Sequence, residues 1–148
     1  MKTMAECLFC RIAAGALAAP IVYQDGQSLA FLDHRPLFPG HVLLIPRRHY
    51  ETLADLPPAE AGPFFRTAQC LSRAVEEALA ADGSFVAINN RVSQSVPHLH
   101  VHIVPRKRQD GLRGFFWPRA KYRDAGEAEA ARLAVSQAMR RLRPPAPP

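Results

Sequence analysis

At 148 residues, with 48% hydrophobic and 22% charged residues, the chain is the size of one domain and has enough apolar mass to bury a core without disulfides. Nineteen Lys and Arg against 13 Asp and Glu leave it at +6, but the cations are scattered as "RR" at 47–48, "RKR" at 106–108 and "RR" at 140–141. That spread suits a small phosphorylated ligand better than a nucleic acid or another long polyanion.

The first motif along the chain is "CLFC", Cys7 and Cys10 at C-x-x-C spacing. Glu6, both cysteines and Arg11 interrupt any signal-peptide core, and no stretch approaches the ~18–20 apolar residues of a membrane span. A cytoplasmic protein is expected, in which three cysteines make a metal or redox set in preference to disulfides. "IVYQ" (21–24) and "SLAFLD" (28–33) flank the turn-like "DGQ" and predict a hairpin. "HVLLIP" (41–46) follows a Pro-Gly turn as a third strand. Over 58–81, Phe64, Ala68, Leu71, Val75 and Leu79 recur at helical spacing, with Cys70 expected on the apolar side and "ADG" as the stop. Strands follow at 84–90 and 98–105, then a helix at 127–142 rich in Ala, Glu and Arg. The closing "RPPAPP" (143–148) supports neither ladder nor helix and reads as a disordered tail. These elements predict an α+β fold over a single domain, 1–142: about five mainly antiparallel strands, one long helix and a C-terminal helix.

"HLHVHIV" sets His98, His100 and His102 at every second position, with Leu99, Val101 and Ile103 between them. In a strand, residues two apart share a face at ~6.6 Å. The three imidazoles therefore line up while the hydrocarbons point into a core, most simply against the 58–81 helix. A lone sheet histidine is usually a satisfied polar group; three in strict alternation imply a polar task. Two chemistries fit. His-x-His can supply two nitrogens to a catalytic zinc with an open water position. Alternatively, one neutral imidazole is a nucleophile, and its neighbours orient it and manage phosphate charge. The preceding "NNRVSQS" favours the second, because Asn89, Asn90, Ser93, Gln94 and Ser95 donate hydrogen bonds and Arg91 carries charge, with no thiolate or carboxylate among them.

"CLFC", "IVYQDGQSLAFLD", "PLFPGHVLLIPRRHYETLADL" and "QSVPHLHVHIVPR" together, in this order from about 7 to 106, resemble the histidine triad (HIT) superfamily of nucleotide hydrolases and transferases. The resemblance implies that His100 attacks the α-phosphorus of a purine nucleotide conjugate and is transiently nucleotidylated. His102, Gln94 and Ser95 would assist at the phosphate. Asp33 would hold the ribose, and Phe9, Ile12, Leu17, Phe31, His34 and Asn89 would complete the nucleotide site. It also implies a homodimer. Cys7 and Cys10, which would otherwise be small buried residues, match one half of a zinc site that relatives close with histidines at the positions of His49 and His98. Such a Cys2His2 set is structural zinc, without an open position.

Ser93 stands where relatives carry a glycine, and the loop after Asn89 and Asn90 is short, which bears on the leaving group more than on the chemistry. Phe115, Phe116, Trp117 and Tyr122, interleaved with Arg113, Arg119, Lys121 and Arg123, suggest a lid or a subunit contact. The competing functions are a diadenosine polyphosphate hydrolase or phosphorylase and a non-catalytic nucleotide-binding module.

Overall fold

A computed structural model describes residues 7–112 and 120–142; the expected Pro-rich tail and most of the aromatic and basic segment lie outside them. The chain divides into two compact units, Met1–Asp110 and Gly111–Pro148. The first carries a five-stranded antiparallel sheet of order β1-β2-β3-β5-β4. Its strands are β1 (Ile21–Gln24), β2 (Ser28–Leu32), β3 (Val42–Pro46), β4 (Gly83–Ala87) and β5 (Val101–Arg106). Helix α1 (Leu8–Ala13) precedes the sheet, and α2 (Pro58–Ala78) joins β3 to β4 after a short 3-10 turn, Leu53–Asp55. The fold is therefore α+β, as expected.

Strand alternation sorts the side chains to two faces. On one, Ala30, Val42, Leu44, Leu99, Val101 and Ile103 bury against Phe64, Ala68, Leu71 and Val75 of α2. On the other, Leu29, Phe31, Leu43 and Ile45 bury against Cys7, Phe9, Cys10 and Ile12. Leu99, Val101 and Ile103 thus occupy the predicted core position. The second face, with α1 on it, receives the histidines.

Several boundaries differ from the sequence reading. The last ladder begins at Val101 and not at residue 98, because Val101 pairs with Leu44 at the end of its register with β3. Upstream, the Leu99 amide donates instead to the Tyr50 carbonyl at 2.6 Å, so the chain keeps its alternation without the strand. Helix α2 stops at Ala78, and Leu79, the residue capping it, is 41% exposed. Cys70 is exposed rather than core: one residue from Leu71, it lies ~100° around the helix from the buried stripe. Helix α1 was not expected at all.

In the second unit, α3 (Ala125–Leu142) covers the predicted C-terminal helix, and none of its residues is buried. Asp124 accepts from the Glu127 amide at its start, at 2.8 Å. Among the described residues, no helix is long and apolar enough to cross a membrane.

Candidate active site

A cavity of about 330 Å³ opens on the α1 face of the sheet. Phe9 and Ile12 of α1, Leu17 after it, and Phe31 of β2 form its apolar wall, and Asp33, His34, Ser95, His100 and His102 bring polar groups to it. All nine were singled out from the sequence. Asn89 and Gln94 do not line it. The Gln94 side chain is engaged elsewhere, donating to the Glu51 carbonyl at 2.6 Å and accepting from the Arg91 amide at 2.7 Å. It ties the loop that carries Ser95 to the segment before the 3-10 turn.

Backbone carbonyls only accept hydrogen bonds, so they fix where the histidine protons sit. His100 Nδ1 lies 2.7 Å from the His98 carbonyl and must donate to it, which leaves a lone pair on Nε2. The ring is 3% exposed and meets Phe9 edge-on, with 5.2 Å between centroids. Burial holds its pKa below the ordinary histidine value, opposed by the His98 hydrogen bond and by Asp33. A neutral ring with Nε2 free is chemically able to act as a nucleophile.

A second chain of assignments starts at His41, a buried residue that the sequence reading passed over. The Leu37 amide donates to His41 Nδ1 at 3.1 Å, so the neutral ring carries its proton on Nε2. That nitrogen is 3.0 Å from His102 Nδ1 and donates to it. His102 therefore holds its own proton on Nε2. Burial, then His100 and His41, lower the His102 pKa to about 4, against the pull of Asp33. His41 is lowered as well, mainly by burial, with Asp33 opposing. The available signal was its place, directly after the Pro-Gly turn at the head of a wholly apolar strand. Gly40 makes that turn at φ +95°, and a Cβ there would clash with Leu79.

His98 does a third job. Its Nε2 donates to the Pro46 carbonyl at 2.8 Å, leaving the Nδ1 lone pair 3.5 Å from both Cys7 Sγ and Cys10 Sγ. His49 Nδ1 is 3.3 Å from Cys10 Sγ. One ligand atom from each of Cys7, Cys10, His49 and His98 falls within 4.8 Å of the others. Burial and the neighbouring Cys7 raise the Cys10 thiol to about 11, and burial lowers His98 to about 4. Two thiol sulfurs and two imidazole nitrogens within reach of one point are the donor set of a soft divalent cation, and the sequestered His98 Nδ1 lone pair fits one. A second trio, Asp33, His41 and His102, also comes within 4.8 Å. Neither group holds two members of the triad, so the three histidines do not converge on one metal.

The model of the HIT domain matches residues 15–109. Adenylylsulfatase HINT3 of Arabidopsis thaliana is 36% identical over 72% of this chain and 55% of its own length. Bis(5'-nucleosyl)-tetraphosphatase [asymmetrical] of Schizosaccharomyces pombe is 38% identical over 64% of this chain and 53% of its own length. The chain thus spans about half of either relative. Among solved structures, a zinc-bound histidine triad family protein from Mycobacterium smegmatis superposes with a TM-score of 0.70 at 34% identity, covering 92% of this chain and 97% of that one.

Proposed function

The chain belongs to the HIT family, and from that premise we propose that it hydrolyses or transfers at the α-phosphate of a purine nucleotide conjugate, with His100 as the nucleophile. The observation that carries this reading is the tautomer of His100, with its Nδ1 proton held by the His98 carbonyl and Nε2 free in a ring that lines the cavity. Phe9, Ile12, Leu17, Phe31 and His34 take the nucleoside base, and Asp33 accepts from the ribose hydroxyls.

The Nε2 lone pair of His100 forms a bond to the α-phosphorus as the bond to the leaving group breaks, and the leaving group departs with that electron pair. The Nε2 proton of His102 is aimed by His41 to donate to a phosphate oxygen, where charge accumulates. Water then attacks phosphorus, and the nitrogen–phosphorus bond returns its electron pair to His100. The proton that water releases balances the one taken up by the leaving group, and a nucleoside monophosphate remains. Ser95 faces the leaving group, while Gln94 acts by holding the Ser95 loop.

Cys7, Cys10, His49 and His98 would hold a zinc ion. With four protein ligands it supplies no open position, only cross-linking of α1 to the chain around His49 and His98.

The test is intact-protein mass after brief mixing with an adenosine phosphoramidate, adenylyl sulfate or diadenosine tetraphosphate. Wild type is expected to show a nucleotidyl adduct or a burst of monophosphate, and His100→Ala, folded by circular dichroism, neither. Turnover retained in that variant refutes the mechanism. Nucleotide binding by wild type without product from any conjugate would favour a binding module.

A further inference from the structure

Within the Cys7, Cys10, His49 and His98 cluster, the two thiols and His98 are anchored very differently. His98 is fully buried, its Nε2 is held by the Pro46 carbonyl, and the adjacent Leu99 amide is bonded to Tyr50. Both thiols belong to α1: Cys7 is its capping residue and Cys10 lies in its middle. This helix has six residues, no side-chain cap and no acidic residue in its first turn. A helix that short has no stability of its own. Beyond the packing of Phe9, Cys10 and Ile12, it is tied to the sheet side by an Arg47 Nη1 hydrogen bond to the Ala13 carbonyl at 3.0 Å and by the long thiol contacts to His49 and His98 within the cluster itself.

The same helix builds a wall of the cavity. Leu8, Phe9 and Ile12 line it, and Phe9 touches Phe31, His98 and His100 edge-on, with centroids 5.4, 5.9 and 5.2 Å apart. Cys10 and Phe9 are consecutive, so the group that fixes the thiols also fixes the aromatic wall. We propose that Cys7 and Cys10 are positioning residues for the nucleotide: zinc on the cluster holds α1 so that Phe9 closes the base pocket, and metal and nucleotide bind with positive coupling. This inference rests on the nucleotide reading above. Because the His98 carbonyl that holds the His100 Nδ1 proton lies in a segment tied to the sheet by the Leu99 amide bond to Tyr50 and the His98 bond to Pro46, zinc loss acts chiefly on affinity and leaves the His100 tautomer in place. The coupling is reciprocal, so bound nucleotide slows zinc loss.

The experiment is calorimetric titration of the full chain with AMP, zinc-loaded and after chelator dialysis, for wild type and Phe9→Ala. Zinc removal is expected to weaken AMP binding to wild type by about fivefold or more and by less than about twofold in Phe9→Ala, because the variant lacks the wall that zinc positions. In turnover, chelation should raise KM more than it lowers kcat. Hydrogen exchange without nucleotide should show zinc protecting the amides of residues 8–14. Equal AMP affinity with and without zinc overturns the inference alone, as does a zinc effect undiminished in Phe9→Ala or a chain that takes up no zinc. Failure of zinc-loaded wild type to bind AMP overturns the nucleotide reading, and this inference with it.

Discussion

Acid should destabilise this protein through the buried histidines of the candidate site, and His102 allows the size of the effect to be worked out. Wedged between His41 and His100, its ring has a pKa of about 4 in place of 6.5, from burial first and the neighbouring imidazoles second. The unfolded chain takes up this proton near pH 6.5 and the folded chain only near 4. Between those values the unfolded state binds more protons, so stability rises with pH. The contribution is complete above about pH 6.5 and is lost as pH falls toward 4. The gap of 6.5 minus 4, at ~1.4 kcal/mol per pH unit, sets a ceiling of ~3.5 kcal/mol. The ring is partly open to solvent, and screening leaves about 1–2 kcal/mol. With a urea m-value of ~2 kcal/mol/M, that is a midpoint shift of about 0.5–1 M. Urea unfolding across this interval should show wild type losing that much more than His102→Gln, whose side chain still accepts from His41 but does not titrate. Identical losses in the two proteins, or a wild-type midpoint that rises on acidification, would refute the reasoning. His41, His98 and His100 are depressed in the same direction, so the wild-type acid transition should be steep.

Replacing His41 by Phe removes the acceptor for the Leu37 amide and the donor to His102 while keeping an aromatic ring in place. It should cost about 1–3 kcal/mol of stability in urea and lower kcat more than AMP affinity; unchanged kcat would show that His102 needs no aiming. Gly40→Ala imposes a side chain at φ +95° and a clash with Leu79, a loss of ~1–2 kcal/mol from the backbone alone. Adding Leu79→Ala should recover the clash but not the backbone strain, and full recovery in thermal melts would disprove the left-handed requirement at that turn.

The cavity was legible from sequence to the extent that alternation and a family pattern specify faces. Strict His/aliphatic alternation over 98–103 placed the imidazoles opposite the α2 core, and Phe9, Ile12, Leu17, Phe31, Asp33, His34, Ser95, His100 and His102 do meet around one cavity. What escaped depends on partners distant in the chain. Gln94 looked like a phosphate ligand because it is polar and next to the triad; only the fold brings the Glu51 carbonyl to its amide. His41 looked like the first residue of a strand, and its bond to His102 spans 61 positions. Helix α1 is too short for a periodic signal: Phe9 and Ile12 at i, i+3 with Gly15 behind them were the only trace. Cys70 shows the opposite error, an apolar residue type assigned to the core although Leu71 already holds that position.

The two-sided character of residues 98–103 also limits how this segment can change over time. Substitution tests one side chain at a time, and many exchanges there would be graded in effect. A gain or loss of one residue is different in kind: every position beyond it changes face, moving imidazoles into hydrocarbon and hydrocarbon into the cleft. The proposed metal ligand, nucleophile and proton donor would be lost in one event, together with the core contacts of Leu99, Val101 and Ile103. Length is thus the inflexible property of this stretch, and insertions or deletions are expected to collect in the surface turns, such as 25–27, where no such inversion follows.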